Sequence, residues 1–78
     1  MNKSRLRLID DEADVRYSFQ RIFDSPEIEL ITAASGEEGL RVIASAKPEV
    51  VIMDVRMGGM SGLETLRRIR QMDSKLLV

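Results

Sequence analysis

The run Val50-Val51-Ile52-Met53 ends on Asp54 and passes straight into Val55-Arg56-Met57-Gly58-Gly59-Met60-Ser61-Gly62-Leu63-Glu64. No other stretch narrows the possible folds so far. A short apolar run rich in β-branched residues is the pattern of a strand covered on both faces, as in parallel sheets. Gly58, Gly59 and Gly62 admit backbone conformations that other residues resist, so a loop follows. Ser61 and Glu64 have the spacing of a capping box for a helix that starts there. Open α/β sheets bind ligands beyond the carboxyl ends of their strands, and there the sequence places a carboxylate.

The rest of the chain alternates in the same way. Leu6-Arg7-Leu8-Ile9 predicts a first strand closing on Asp10-Asp11-Glu12. Arg7 is awkward in it, because a covered charge must find a partner or reach past the edge of the core. Val15, Phe19, Ile22 and Phe23 recur at helical spacing and predict an amphipathic helix from about Ala13 to Asp24, stopped by Ser25-Pro26. Ile28 to Ala33 reads as a second strand. Ser35-Gly36-Glu37-Glu38 is a second capping box, and Leu40, Ile43 and Ala44 form the apolar face of a second helix that ends at Lys47-Pro48. A third helix runs from Ser61 to about Met72, with Leu63, Leu66 and Ile69 turned inward. Lys75-Leu76-Leu77-Val78 predicts a fourth strand. The order is βαβαβαβ in a single domain over residues 1–78. A helix of about 12 residues is roughly 18 Å long, the span of a five-residue strand, so each can return the chain to start a parallel strand. Right-handed crossovers then bring every strand's carboxyl end to one edge, and Asp10, Asp11 and Asp54 with them.

Composition limits the chemistry. Twelve basic and thirteen acidic residues leave a formal net charge of −1, so nothing marks nucleic acid as the partner of this segment. Arg67-Arg68-Ile69-Arg70 reads as a solvated helix face. With no cysteine and no histidine, disulfides, thiol chemistry, zinc sites and imidazole acid–base catalysis are excluded, and carboxylates remain. No stretch has the length and apolarity of a signal peptide or membrane span, so the expectation is a cytoplasmic protein with no membrane partner.

If the first and third strands are neighbours, the three carboxylates converge; packed together they repel, and a proton or a cation must neutralise them. A small hard cation with oxygen ligands fits best, and Mg²⁺ takes one or two carboxylates together with phosphate oxygens and water. One aspartate could then act as nucleophile toward a phosphoryl group. Each acid also has an ordinary reading. Asp10 and Asp11 suit a helix N-terminus, and Asp54 suits a solvated turn.

Leu8-Ile9-Asp10-Asp11-Glu12 followed by the Met53–Glu64 segment resembles the receiver domain of bacterial two-component response regulators. The loop wording is most similar to receivers of σ54-dependent transcription activators. The resemblance implies a flavodoxin-like, doubly wound parallel sheet of strand order 2-1-3-4. It covers about two-thirds of a usual receiver, so the fifth strand and the last two helices are expected to be lacking. By position it implies that Asp54 accepts a phosphoryl group from a phosphohistidine of a sensor histidine kinase. Asp11 would bind Mg²⁺ directly, Asp10 would assist through water, and the backbone carbonyl of Arg56 would add a ligand. The helix from Ala13 to Asp24 would face the kinase. Such a domain is a phosphoacceptor rather than a true enzyme. Gly58 departs from the family's usual proline and Ser61 from its frequent aspartate. Both changes are expected to loosen or recap the loop without removing chemistry. The family's switch Ser/Thr and its later lysine have no counterpart up to Val78.

The 2-1-3-4 order puts the first helix alone on one face. Four strands make a sheet roughly 19 Å wide and one helix covers about 10 Å, so nearly half of that face is expected to be bare. An apolar patch of that size and an open strand edge predict a homodimer or higher oligomer. An association module without phosphotransfer is therefore the alternative function. A small Mg²⁺-dependent phosphatase fits less well, because its second acid, two residues past the nucleophile, is replaced here by Arg56. A nucleotide site fits worse still, since no glycine-rich phosphate loop follows the first strand.

Overall fold

A computed structural model describes residues 4–23, 25–45, 47–54, 56, 61–76 and 78. The chain runs β1 (Ser4–Ile9), α1 (Ala13–Phe23), β2 (Ile28–Ala33), α2 (Gly36–Ser45), β3 (Val50–Met53) and α3 (Gly62–Met72). The three strands form one parallel sheet in the order β2-β1-β3. Leu6 pairs in register with Leu30 and Val50, and Ile9 with Ala33 and Met53. The central position of β1 follows from that order: among the described residues it alone has a ladder on both sides.

Strand alternation divides the side chains between two faces. Arg7, Ile9, Ala33 and Val51 point to the face carrying α2 and α3. Ile9, Ala33, Ile43, Val51 and Ile69 form the core there, joined by Leu76. The helix α2 lies close on β1, for a Cβ added at Gly39 would overlap the Ile9 side chain. The absence of a side chain at Gly39 is what permits that approach. The opposite face carries Leu6, Leu8, Val50 and Ile52, with α1 over β2.

Local signals explain the boundaries. Ser61 caps α3, its Oγ accepting from the Glu64 amide at 3.1 Å. The expected capping box is only half made, because the Glu64 carboxylate turns to Arg67 and Arg68 instead. Ser35 Oγ likewise accepts from the Glu38 amide at 3.1 Å.

Several expectations need correction. Ile22 and Leu63, assigned inward, are 72% and 70% exposed, and Ala44 is also exposed. Ile22 lies on a helix that buries no residue at all, and Thr65 takes the inner position on α3 that Leu63 was expected to hold. Thr65 tolerates full burial because its hydroxyl donates to the Ser61 carbonyl at 2.8 Å. The predicted fourth strand is not found among the described residues: Lys75, Leu76 and Val78 carry no ladder, and Leu77 lies outside them. Asp73 turns the chain, its Oδ1 accepting from the Lys75 amide at 3.0 Å, and Leu76 joins the core formed by Ile9, Ala33, Ile43, Val51 and Ile69. Arg70 fastens this turn through the Leu76 carbonyl. Leu76 thus reaches the core from a turn rather than from a strand. No helix among the described residues is long and apolar enough to cross a membrane.

Candidate functional site

Asp10 directly follows β1 and Asp54 directly follows β3. Both remain tied to the sheet by their amides, which donate at 3.0 Å to the carbonyls of Ala33 and Ile9 respectively. Since β1 and β3 are adjacent and parallel, those two bonds set the acids side by side. Asp10, Asp11 and Asp54 each offer a carboxylate oxygen, and the three oxygens lie within 4.8 Å of one another. Asp10 is buried, Asp54 half-buried and Asp11 exposed, so the cluster opens to solvent on the Asp11 side.

The two strand-end acids are held in the same way. Asp10 Oδ1 accepts from the Glu12 amide and Asp54 Oδ1 from the Arg56 amide, each at 2.9 Å. These are Asx turns, in which a side chain bonds the backbone two residues on. Asp54 thus serves its turn, though half-buried rather than solvated, while Asp10 bonds the loop ahead of α1 rather than the helix itself. A carboxylate has about four lone-pair sites, so one such bond leaves the rest for a ligand.

The donor set suits a hard divalent cation. Oxygens around Mg²⁺ stand roughly 3.0–4.2 Å apart, given bond lengths near 2.1 Å and octahedral geometry. The three oxygens, within 4.8 Å of one another, would have to draw in toward that spacing to hold one ion together. The chain has no thiolate and no imidazole, and three carboxylates are hard donors, which disfavours softer metals.

Arg16 was not singled out from sequence. One turn into α1, its Nη1 donates to the Asp10 carbonyl at 2.7 Å. A cation six residues past Asp10, on the helix that the acid introduces, was the available signal. Gly58, Gly59 and the other loop residues Val55, Met57 and Met60 lie outside the described residues. Ser61 does recap α3, as its replacement of the family's aspartate suggested.

Fold and site together define a class: a doubly wound α/β domain with an acidic cluster where two adjacent parallel strands end. The family model for the response regulator receiver domain matches residues 6–78, and the chain belongs to that family. It is 26% identical over 78 residues to sporulation initiation phosphotransferase F of Bacillus subtilis, covering 100% of this chain and 63% of that one. Among solved structures, response regulator protein TrrA of Thermotoga maritima, in complex with Mg²⁺-BeF, shares 34% identity at a TM-score of 0.83, over 91% of this chain and 62% of that one. The same regulator in complex with histidine kinase ThkA matches at 33% identity and a TM-score of 0.84, over 94% of this chain and 63% of that one. The fold is accordingly the flavodoxin-like one of receivers. The chain spans less than two-thirds of the length of these relatives.

Proposed function

We propose that residues 1–78 serve as a phosphoacceptor segment in two-component signalling, with Asp54 as the acceptor. The observation that carries this reading is the approach of the Asp10, Asp11 and Asp54 oxygens to within 4.8 Å. In the step envisaged, an Asp54 carboxylate oxygen attacks the phosphorus of a phosphohistidine on a sensor kinase. An O–P bond forms as the N–P bond breaks, and the departing imidazole nitrogen takes up a proton. Asp10, Asp11, Asp54 and the Arg56 carbonyl would hold Mg²⁺, which supplies charge neutralisation for the transferring oxygens. The kinase partner and the cation are supported by the TrrA complexes, where a related receiver meets each of them. A cytoplasmic location, control of transcription and the σ54-type subfamily belong to the same reading.

Incubation with acetyl phosphate and Mg²⁺, followed by intact-mass measurement, tests it. One phosphoryl adduct is expected, lost in Asp54→Asn. An adduct that persists in the variant sinks the assignment of Asp54.

A second reading has its own observation. On the α1 face, Leu6, Phe23, Ile28, Val50 and Ile52 line an open groove of about 330 Å³ at the end of the sheet away from the acids. Among the described residues β3 also has no strand on its outer side. A second copy of this chain covering that face would make the segment a self-associating module, the alternative to phosphotransfer, and a missing adduct in the mass measurement would favour it.

A further inference from the structure

Two of the pocket acids depend on one short piece of backbone, the Asp10–Asp11 peptide. Its position is not fixed by the sheet alone, because β1 ends at Ile9 and the Asp10 amide makes the last bond to a neighbouring strand. Beyond that bond the Asp10 carbonyl accepts from the guanidinium of Arg16, a half-buried residue, at 2.7 Å. A charge-assisted bond of that length is about twice as strong as a neutral one. It comes from α1, a helix that buries no side chain and contacts the sheet mainly at β2.

Resting on the function proposed above, we infer that Arg16 is a positioning residue for the divalent-cation pocket. By clamping the Asp10 carbonyl it fixes the peptide from which Asp10 and Asp11 both project. The Asp10 side chain is already held by the Glu12 amide and Asp54 by the Arg56 amide. Arg16 supplies the third restraint, on the strand-leaving backbone itself.

Two physical effects of Arg16 oppose each other, and their opposition makes the inference testable. Arg16 is a fixed positive charge beside a cation site, so Coulomb repulsion alone would weaken binding, and its removal would tighten it. As a clamp, Arg16 strengthens binding, and its removal loosens it. Groups that orient metal ligands without touching the metal typically cost 10–100-fold in affinity when removed.

The measurement is Mg²⁺ titration by calorimetry on the wild-type chain, Arg16→Ala and Arg16→Lys, with amide NMR spectra of the metal-free proteins. The expected result is binding weakened roughly tenfold or more in Arg16→Ala, within the range for such groups. Arg16→Lys, which keeps the charge on a single-point donor, should recover part of that loss. The Asp11 and Glu12 amide signals should shift in Arg16→Ala before any metal is added, which a general loss of stability would not confine to them. Should Arg16→Ala fail to fold, Arg16→Gln carries the test: weaker binding supports the clamp, and equal or tighter binding overturns it. Equal or tighter binding in Arg16→Ala likewise overturns it. A wild-type chain that takes up no Mg²⁺ is a different failure, and removes the proposed function itself along with the inference.

Discussion

Arg7 shows most sharply what a single side chain must satisfy here. It is completely buried on the central strand, and its Nη2 meets Glu29 Oε1 at 3.2 Å. Nη1 donates to the carbonyls of Leu6 and Glu29, while Nε finds no acceptor. Burying a charge costs more than one imperfect pair returns, and apolar replacements of similar volume are often neutral or stabilising. Arg7→Met should therefore leave stability unchanged or raise it by about 1 kcal/mol, whereas Glu29→Ala, which strands the guanidinium, should lower it. Urea midpoints of the two variants decide this. Glu64 gives a pH dependence of known sign. Hydrogen bonds from Arg67 and then Arg68 hold its carboxyl below the ordinary glutamate value. A carboxyl depressed in the folded state stabilises that state above its unfolded value, and the contribution fades as pH falls through the folded one. Stability should thus decline below roughly pH 4, and less steeply in Glu64→Gln, as followed by thermal midpoints across that window.

At the scale of elements, α2 is seated and α1 is leaning. Gly39 lets α2 settle onto Ile9, which is completely buried, so a methyl group there meets a side chain with no room to retreat. Gly39→Ala gains about 0.8–1 kcal/mol of helix propensity but overpacks a core at about 1–3 kcal/mol. The net should be destabilising by about 1 kcal/mol. Adding Ile9→Val, which removes the obstructing Cδ1, should recover part of the loss, and a double-mutant cycle in denaturant measures the coupling. The caps are smaller devices. Ser61→Ala removes one acceptor from the α3 N-terminus and should cost about 1 kcal/mol by the same measurement. By contrast α1 holds to the sheet through half-buried Val15, Phe19 and Phe23 with the two rings 5.6 Å apart, and through the bond from Arg16.

For the molecule as a whole, the two faces of the sheet are unequal. The α2 and α3 face closes over a continuous core, while on the α1 face Ile52 is 36% exposed beside the groove near Val50. Exposed apolar surface on that side is what a second copy would remove from water. Light scattering at micromolar concentration should report an oligomer, and Ile52→Lys should shift it toward monomer without altering Mg²⁺ uptake, because the groove and the acids lie at opposite ends of the strands. A well-folded wild-type monomer would exclude the association reading.

Sequence by itself determined the alternation of strands and helices and the parallel sheet, because these follow from periodicity, capping residues and chirality, which act over a few residues at a time. It set the three acids on one edge, but their meeting required β1 and β3 to be neighbours. It also told that Arg7 would need a partner, though not which one. The tertiary structure alone decided that Glu29 answers Arg7, that Thr65 rather than Leu63 is buried, that Leu76 enters the core from a turn rather than a strand, and that Arg16 grips the Asp10 carbonyl. Each of those outcomes depends on distances between segments far apart or differently oriented in the chain, and such distances exist only once the elements have packed.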